Sequence, residues 1–251
     1  MDIKKIKDIF SKYVKTYDLD EKPILKKYNH SFRVMEISKY ISESINLNEE
    51  DTYISMVIGI LHDYARFEQW TKYKTYSDIK SIDHGDLAIK NLFDNNEIER
   101  FNIKKEYYKF IYNAIKYHNK YKYPADLDEK NKLFCKIIRD ADKLDILYLL
   151  GLIEEKAKED DSEISKEVEK SFFENKLIKR NNNINLSDNV ILKIAMIFDL
   201  NFEYSYKYIR ENKLIDKIFE TLENKEKYKI YFDYIKNYID EKEKAYVRKK
   251  I

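Results

Sequence analysis

The sequence predicts an all-α protein, and three observations predict it. Three glycines and two prolines in 251 residues are too few for a sheet-rich domain, which needs a turn signal roughly every 8–12 residues. Apolar residues recur at three- and four-residue spacings along most of the chain, the period of a buried helix face. Between them, charges alternate in sign, with 48 Lys and Arg against 46 Asp and Glu and a formal net charge of +2, as on solvated helix faces. That balance gives no electrostatic footprint for nucleic acid. A hydrophobic share of 43% is enough to bury a core, which excludes global disorder.

The elements follow in order. Ile3, Ile6, Ile9, Phe10 and Tyr13 predict a helix over 3–17. Pro23, tolerated in a first turn, opens a second that runs to about residue 45 with Val34, Ile37 and Ile41 on one stripe. Asn48 caps a third, 49–66, with Asp51 three residues on. Residues 67–82 lose clear periodicity and read as a loop with room for a short helix. A helix over 83–94, capped by Ser81 or Asp83, and another over about 104–118 come next. Pro124 marks a loop, after which Asp126 and Glu129 have capping-box spacing ahead of a long helix, about 129–157. Beyond a polar break near residue 160, helices are expected near 164–175, 188–200, 202–220 and 224–247, with a further break at Asn181–Asn183. We therefore expect a helical core over 1–160 and a helical appendage over 161–251, packed on the core or pairing two copies in a homodimer.

A single cysteine, Cys135, forms no disulfide within the chain, which fits a reducing cytoplasm. The charged N-terminus has no signal-peptide apolar region. No stretch reaches the roughly 18–20 uninterrupted apolar residues of a membrane span.

The chemistry concentrates in the four histidines, His30, His62, His84 and His118. His30 shares a helix face with Val34, Ile37 and Ile41. His62 ends an apolar helix and is followed at once by Asp63. His84 opens a helix within Asp83-His84-Gly85, and His118 closes one with Ile111 and Ala114 on its face. A lone histidine on an apolar face is more often a satisfied core residue than a ligand. Four of them, and no others in the chain, all inward-facing or at helix ends, are harder to assign to packing. Asp142, with Ile138, Ile146 and Leu149 on its face, is an acid in a similar setting, and a carboxylate in an apolar stripe is costly unless paired or metal-bound. Periodicity alone leaves the choice among Asp140, Asp142 and Asp145 open. Imidazole with carboxylate is a ligand set for iron, manganese, zinc, nickel or cobalt.

The order His30, His62-Asp63, Asp142 resembles the HD-domain metal-dependent phosphohydrolases. Gly59-Ile-Leu-His-Asp-Tyr-Ala65 is similar to that family's central motif, and Asp140-Ala-Asp-Lys-Leu-Asp145 to its closing one, in which the aspartate after alanine is the ligand. The resemblance covers about residues 24–150 and selects Asp142. The segments around His84 and His118 resemble the two-metal subset, which includes diadenosine-tetraphosphate hydrolases and cyclic-dinucleotide phosphodiesterases. The paired-histidine and Gly-Tyr-Pro signature of the latter is absent, since Asn119 follows His118.

The resemblance implies one or two divalent ions. His30, His62, Asp63 and Asp142 would hold the first, and His84 and His118 a second bridged by Asp63. The implied reaction is hydrolysis of a nucleotide or other small phosphate ester by metal-activated water. Arg33, Arg66 and Lys143 stand beside His30, His62 and Asp142, where each is placed to donate to phosphate oxygens. The resemblance favours Arg66 and Lys143, which with Asp63 form the expected catalytic set. Two other readings use the same residues: a di-iron oxygenase, separated by iron content and an oxygen requirement, and a nucleotide-binding regulatory module without turnover.

Overall fold

The computed structural model describes residues 2–152 and 159–248. Every regular element among the described residues is helical, as the scarcity of turn residues predicts. None of these helices is long and apolar enough to cross a membrane. The chain packs as two compact units, Met1–Asp142 and Lys143–Ile251. The division falls inside helix α7 (Glu129–Leu150), while the polar break near residue 160 comes later.

In the first unit, α1 (Ile3–Val14) buries Ile6, Phe10 and Val14 on one stripe and packs on α3. Helices α2 (Lys22–Ser44) and α3 (Glu49–Leu61) lie along each other and form the frame of the unit. Asn48 Oδ1 accepts from the Asp51 N–H at 2.8 Å, the expected cap of α3. At Gly59 the two helices come so close that a Cβ would lie 2.7 Å from the Met35 Cα and 2.9 Å from the Ser38 hydroxyl. Only a residue without a side chain fits there.

Helix α3 stops at Leu61, earlier than the expected residue 66. His62 to Ala65 form turns, and α4 (Arg66–Tyr73) begins a new axis. The stretch expected as a loop over 67–82 is thus half helix, with a 3-10 turn at Asp78–Lys80. Its main apolar anchor is the fully buried Phe67, which meets Phe10, Tyr13 and Tyr17 at ring-centroid distances of 6.0, 6.0 and 5.7 Å. One such anchor gives no periodic stripe, and the short helix for which the sequence left room is α4. Helix α5 (His84–Ile89) is capped by Asp83, not Ser81, and widens into a π turn at Lys90–Asp94. Helix α6 (Tyr108–Tyr117) follows two 3-10 turns and packs against α3 and α5. The cap of α7 is Asp128, which accepts from the Asn131 N–H at 2.9 Å, and not Asp126 as the sequence suggested. The part of the expected 129–157 helix beyond residue 152 lies outside the described residues.

The second unit holds α8 (Lys166–Phe173), α9 (Leu186–Ile194), α10 (Glu203–Glu211), α11 (Leu214–Glu220) and α12 (Lys225–Arg248). Its core includes Phe172, ringed by Phe173, Phe198, Tyr231 and Tyr234. The single helix expected over 202–220 is two, because Lys213 takes a left-handed backbone at φ 52° and turns the chain between them.

Candidate metal centre

Two helix faces, the ends of three helices and the turn after α3 in the first unit deliver six side chains to one place. His30 projects from the middle of α2 and Asp142 from α7. His62 sits one residue past the end of α3, and His118 one residue past the end of α6. At such positions the last carbonyls of the helix lack a main-chain partner, and each ring uses one. His62 Nδ1 lies 2.8 Å from the Gly59 carbonyl and His118 Nδ1 2.7 Å from the Ile115 carbonyl. His84 is the first residue of α5, and its Nδ1 lies 2.7 Å from Asp78 Oδ2. A carbonyl or carboxylate oxygen only accepts, so Nδ1 carries the proton in all three rings. A neutral ring then presents a bare Nε2.

Those Nε2 atoms converge. His30 and His62 face each other with Nε2 atoms 3.2 Å apart. His30 Nε2 lies 3.2 Å and His62 Nε2 3.6 Å from Asp142 Oδ1. Asp63 Oδ2 stands 3.4 and 3.5 Å from the same two rings. The other oxygen of that carboxylate, Oδ1, faces the second pair, 3.4 Å from His84 Nε2 and 3.8 Å from His118 Nε2. His84 and His118 place their Nε2 atoms 2.9 Å apart. Two lone pairs at that distance repel unless a cation or a proton lies against them. Bonds of about 2.0–2.2 Å to an ion of this class put neighbouring ligand atoms about 3.0–3.6 Å apart, which most of these separations match. The residues therefore fit a divalent ion on chemistry and on spacing. Sets of three among the six, including His30-His62-Asp63 and Asp63-His84-His118, hold their ligand atoms within 4.8 Å of one another. Of the three acids left open by periodicity, Asp142 reaches His30 and His62.

The electrostatics agree with that use. Burial opposes charge on Asp63, yet Lys27, His62 and Arg66 outweigh it and hold the carboxyl well below its usual range. Asp142 is held low against burial by its hydrogen bonds to His30 and His62. Burial likewise opposes protonation of His62, but Asp63 and Asp142 raise it to about 10. His84 is the reverse, pressed down to about 3 by burial and then by the charge of Arg66, so it is neutral and ready to ligate. The four rings and Asp63 are almost fully buried, while Asp142 keeps 19% of its side chain open to solvent.

This geometry agrees with the comparison with known families. A family model described as HD domain matches residues 28–147. Residues 28–147 form an HD domain. All six side chains lie inside the match. HD domains are all-helical and belong to a superfamily of metal-dependent hydrolases, and the buried His/Asp cluster is compatible with the divalent-metal site of that fold. No curated protein and no solved structure matches the chain.

Around the HD-domain cluster the sequence-predicted cations fare differently. Arg66 lies beside the cluster: its Nε is 3.4 Å from Asp63 Oδ1, and its Nη1 donates to Gln69 Oε1, the Tyr76 carbonyl and Asp78 Oδ1 at 2.7, 2.7 and 3.1 Å. Lys143 pairs with Asp199 Oδ2 at 2.6 Å within the second unit. Arg33 is half-buried on α2, one turn beyond His30. Sequence reasoning missed Lys27, whose Nζ touches Asp63 Oδ2 at 2.6 Å. Its position one turn before His30 on α2 is the signal that could have found it. It also missed Asp78 behind His84, and Arg139, a nearly buried residue of α7. Arg139 donates to the carbonyls of Tyr117, His118 and Lys120 and so fixes the end of α6. Along the 67–82 stretch, Phe67 packs into the core, Trp70 donates to Glu21, Glu68 accepts from Asn91, and Gln69 joins the network around Asp78.

Proposed function

We propose that the chain is a dinuclear metal-dependent phosphohydrolase acting on a nucleotide or another small phosphate ester. The observation that carries this reading is the orientation of Asp63: one carboxylate oxygen faces His30 and His62, and the other faces His84 and His118. A single carboxylate turned to two histidine pairs is the arrangement of a bridging ligand. In this reading His30, His62, Asp63 and Asp142 hold the first ion, and Asp63, His84 and His118 the second. Bound divalent ions would supply Lewis acidity and lower the pKa of water to about 7.

The chain's own part is to aim charge and to exclude water. The imidazoles are dry, so interactions inside the site are stronger than in solvent. Lys27 and Arg66, both on Asp63, are partly exposed, with 18% and 13% of their side chains accessible. Both can swing their donors from Asp63 to the oxygens of an entering phosphate once the carboxylate is neutralised by cations. Arg33 and Lys143 stay in the proposal as further cations near the ligands in sequence.

The test is phosphate release from a panel of nucleotides and phosphomonoesters by protein loaded anaerobically with zinc or manganese. Wild type is expected to turn over at least one of them, and Asp63→Asn to lose about a hundredfold or more. Equal release by both proteins contradicts the reading, and turnover that requires oxygen and iron points to the oxygenase instead.

A further inference from the structure

We propose that Asp78 is a positioning residue that fixes the tautomer of His84 and so sets the affinity of the second metal position. The proposal rests on the dinuclear reading above. Asp78 opens a 3-10 turn outside every motif of the ligand set, and its carboxylate is fully engaged. Oδ2 lies 2.7 Å from His84 Nδ1 and accepts from Asn119 Nδ2 at 3.2 Å. Oδ1 accepts from Arg66 Nη1 at 3.1 Å and Gln69 Nε2 at 3.0 Å. Donors therefore surround it, and none of these four positions suits an N–H in its place.

His62 and His118 rest their Nδ1 atoms on main-chain carbonyls, which no side-chain substitution removes. His84 depends on a side chain. A carboxylate behind a ligating imidazole fixes the ring and makes it a better donor to metal. The fully buried Gln69 places that carboxylate, because its Nε2 also donates to Ser81 Oγ and the Ile82 carbonyl, both at 2.9 Å, and ties the turn to α4. Arg66 joins the same carboxylate to Asp63, so the second metal position and a candidate phosphate contact share one anchor.

Asp78→Asn separates the roles with little change of shape. An asparagine can offer one oxygen. The two donors Arg66 and Gln69 claim it, which turns the new amide N–H toward His84 Nδ1. The imidazole then accepts at Nδ1, carries its proton on Nε2 and cannot ligate through that atom.

Two measurements test this. In nitrogen-15 NMR of the metal-free protein, wild-type His84 is expected as the Nδ1–H tautomer and in Asp78→Asn as Nε2–H. In zinc titration calorimetry, wild type is expected to take up two equivalents. The variant should keep the first equivalent unchanged and bind the second about 10- to 100-fold more weakly. An Nε2–H tautomer in wild type overturns the proposal without recourse to any variant, so it is decided even if Asp78→Asn does not fold. Two unchanged zinc affinities in the variant also overturn it while leaving the dinuclear reading intact. A wild type that binds one zinc overturns that reading, and the affinity role of Asp78 falls with it.

Discussion

In the proposed centre a proton and a metal ion compete for one nitrogen of His62. Nδ1 is committed to the Gly59 carbonyl, and Nε2 lies between Asp63 and Asp142. Burial works against charge, but the two carboxylates win and raise the imidazole to about 10. Near pH 7 the metal-free ring is therefore protonated, and a divalent ion must displace that proton. His84, held down at about 3, gives up none. Metal uptake is expected to release about one proton from His62, with affinity rising about tenfold per pH unit between about pH 7 and pH 10. Calorimetry in two buffers of different ionisation enthalpy reads that proton directly, and a count of zero contradicts the assignment. The stability of the metal-free fold has the opposite trend. A pKa raised above the ordinary 6.5 stabilises fully below about pH 6.5, and the contribution is lost as pH climbs toward 10. At this scale the clustered histidines, the proposed ligands, were legible because there are only four and each occupies a helix face or end. Lys27, Asp78 and Arg139 were not, since lysines and aspartates are common here and only tertiary contacts single these out.

The proposed ligands keep their spacing because the helices carrying them are close-packed. Gly59 is the tightest point: α2 and α3 approach until a Cβ would press on the main chain at Met35, 2.7 Å away. A backbone atom cannot rotate aside, so Gly59→Ala must part the helices that carry His30 and His62. Overpacking of this kind costs about 1–3 kcal/mol, more than the roughly 1 kcal/mol of helix propensity alanine returns. We expect a fall of several degrees in Tm together with weaker metal binding, followed by circular dichroism and calorimetry. A Tm equal to or above wild type contradicts the close-packing argument. The elements themselves were largely readable from period and caps, as at Asn48 and Asp83. Boundaries were missed where a local geometry overrode the pattern. Helix α3 ends at Leu61, short of the expected residue 66, because His62 to Ala65 form turns, and Lys213 breaks one periodic stretch into two helices.

For the molecule as a whole, the order of motifs mattered more than any one of them. His62-Asp63 alone is a common pair. His30 before it and His84, His118 and Asp142 after it, at helix ends and faces, specify helices that return to one centre, and residues 28–147 are matched as an HD domain. The second unit carried no such signal. Its helices follow from apolar period and caps such as Asn185 with Asp188, but its polar residues form no pattern tied to a chemistry. The most direct measurement is anomalous diffraction, at the absorption edge of the loaded metal, from crystals of the metal-reconstituted protein. Two peaks roughly 3.5–4 Å apart, one beside His30 and His62 and one beside His84 and His118, with Asp63 between them, are expected. A single peak, or none within reach of these imidazoles, would contradict a bridged two-metal centre.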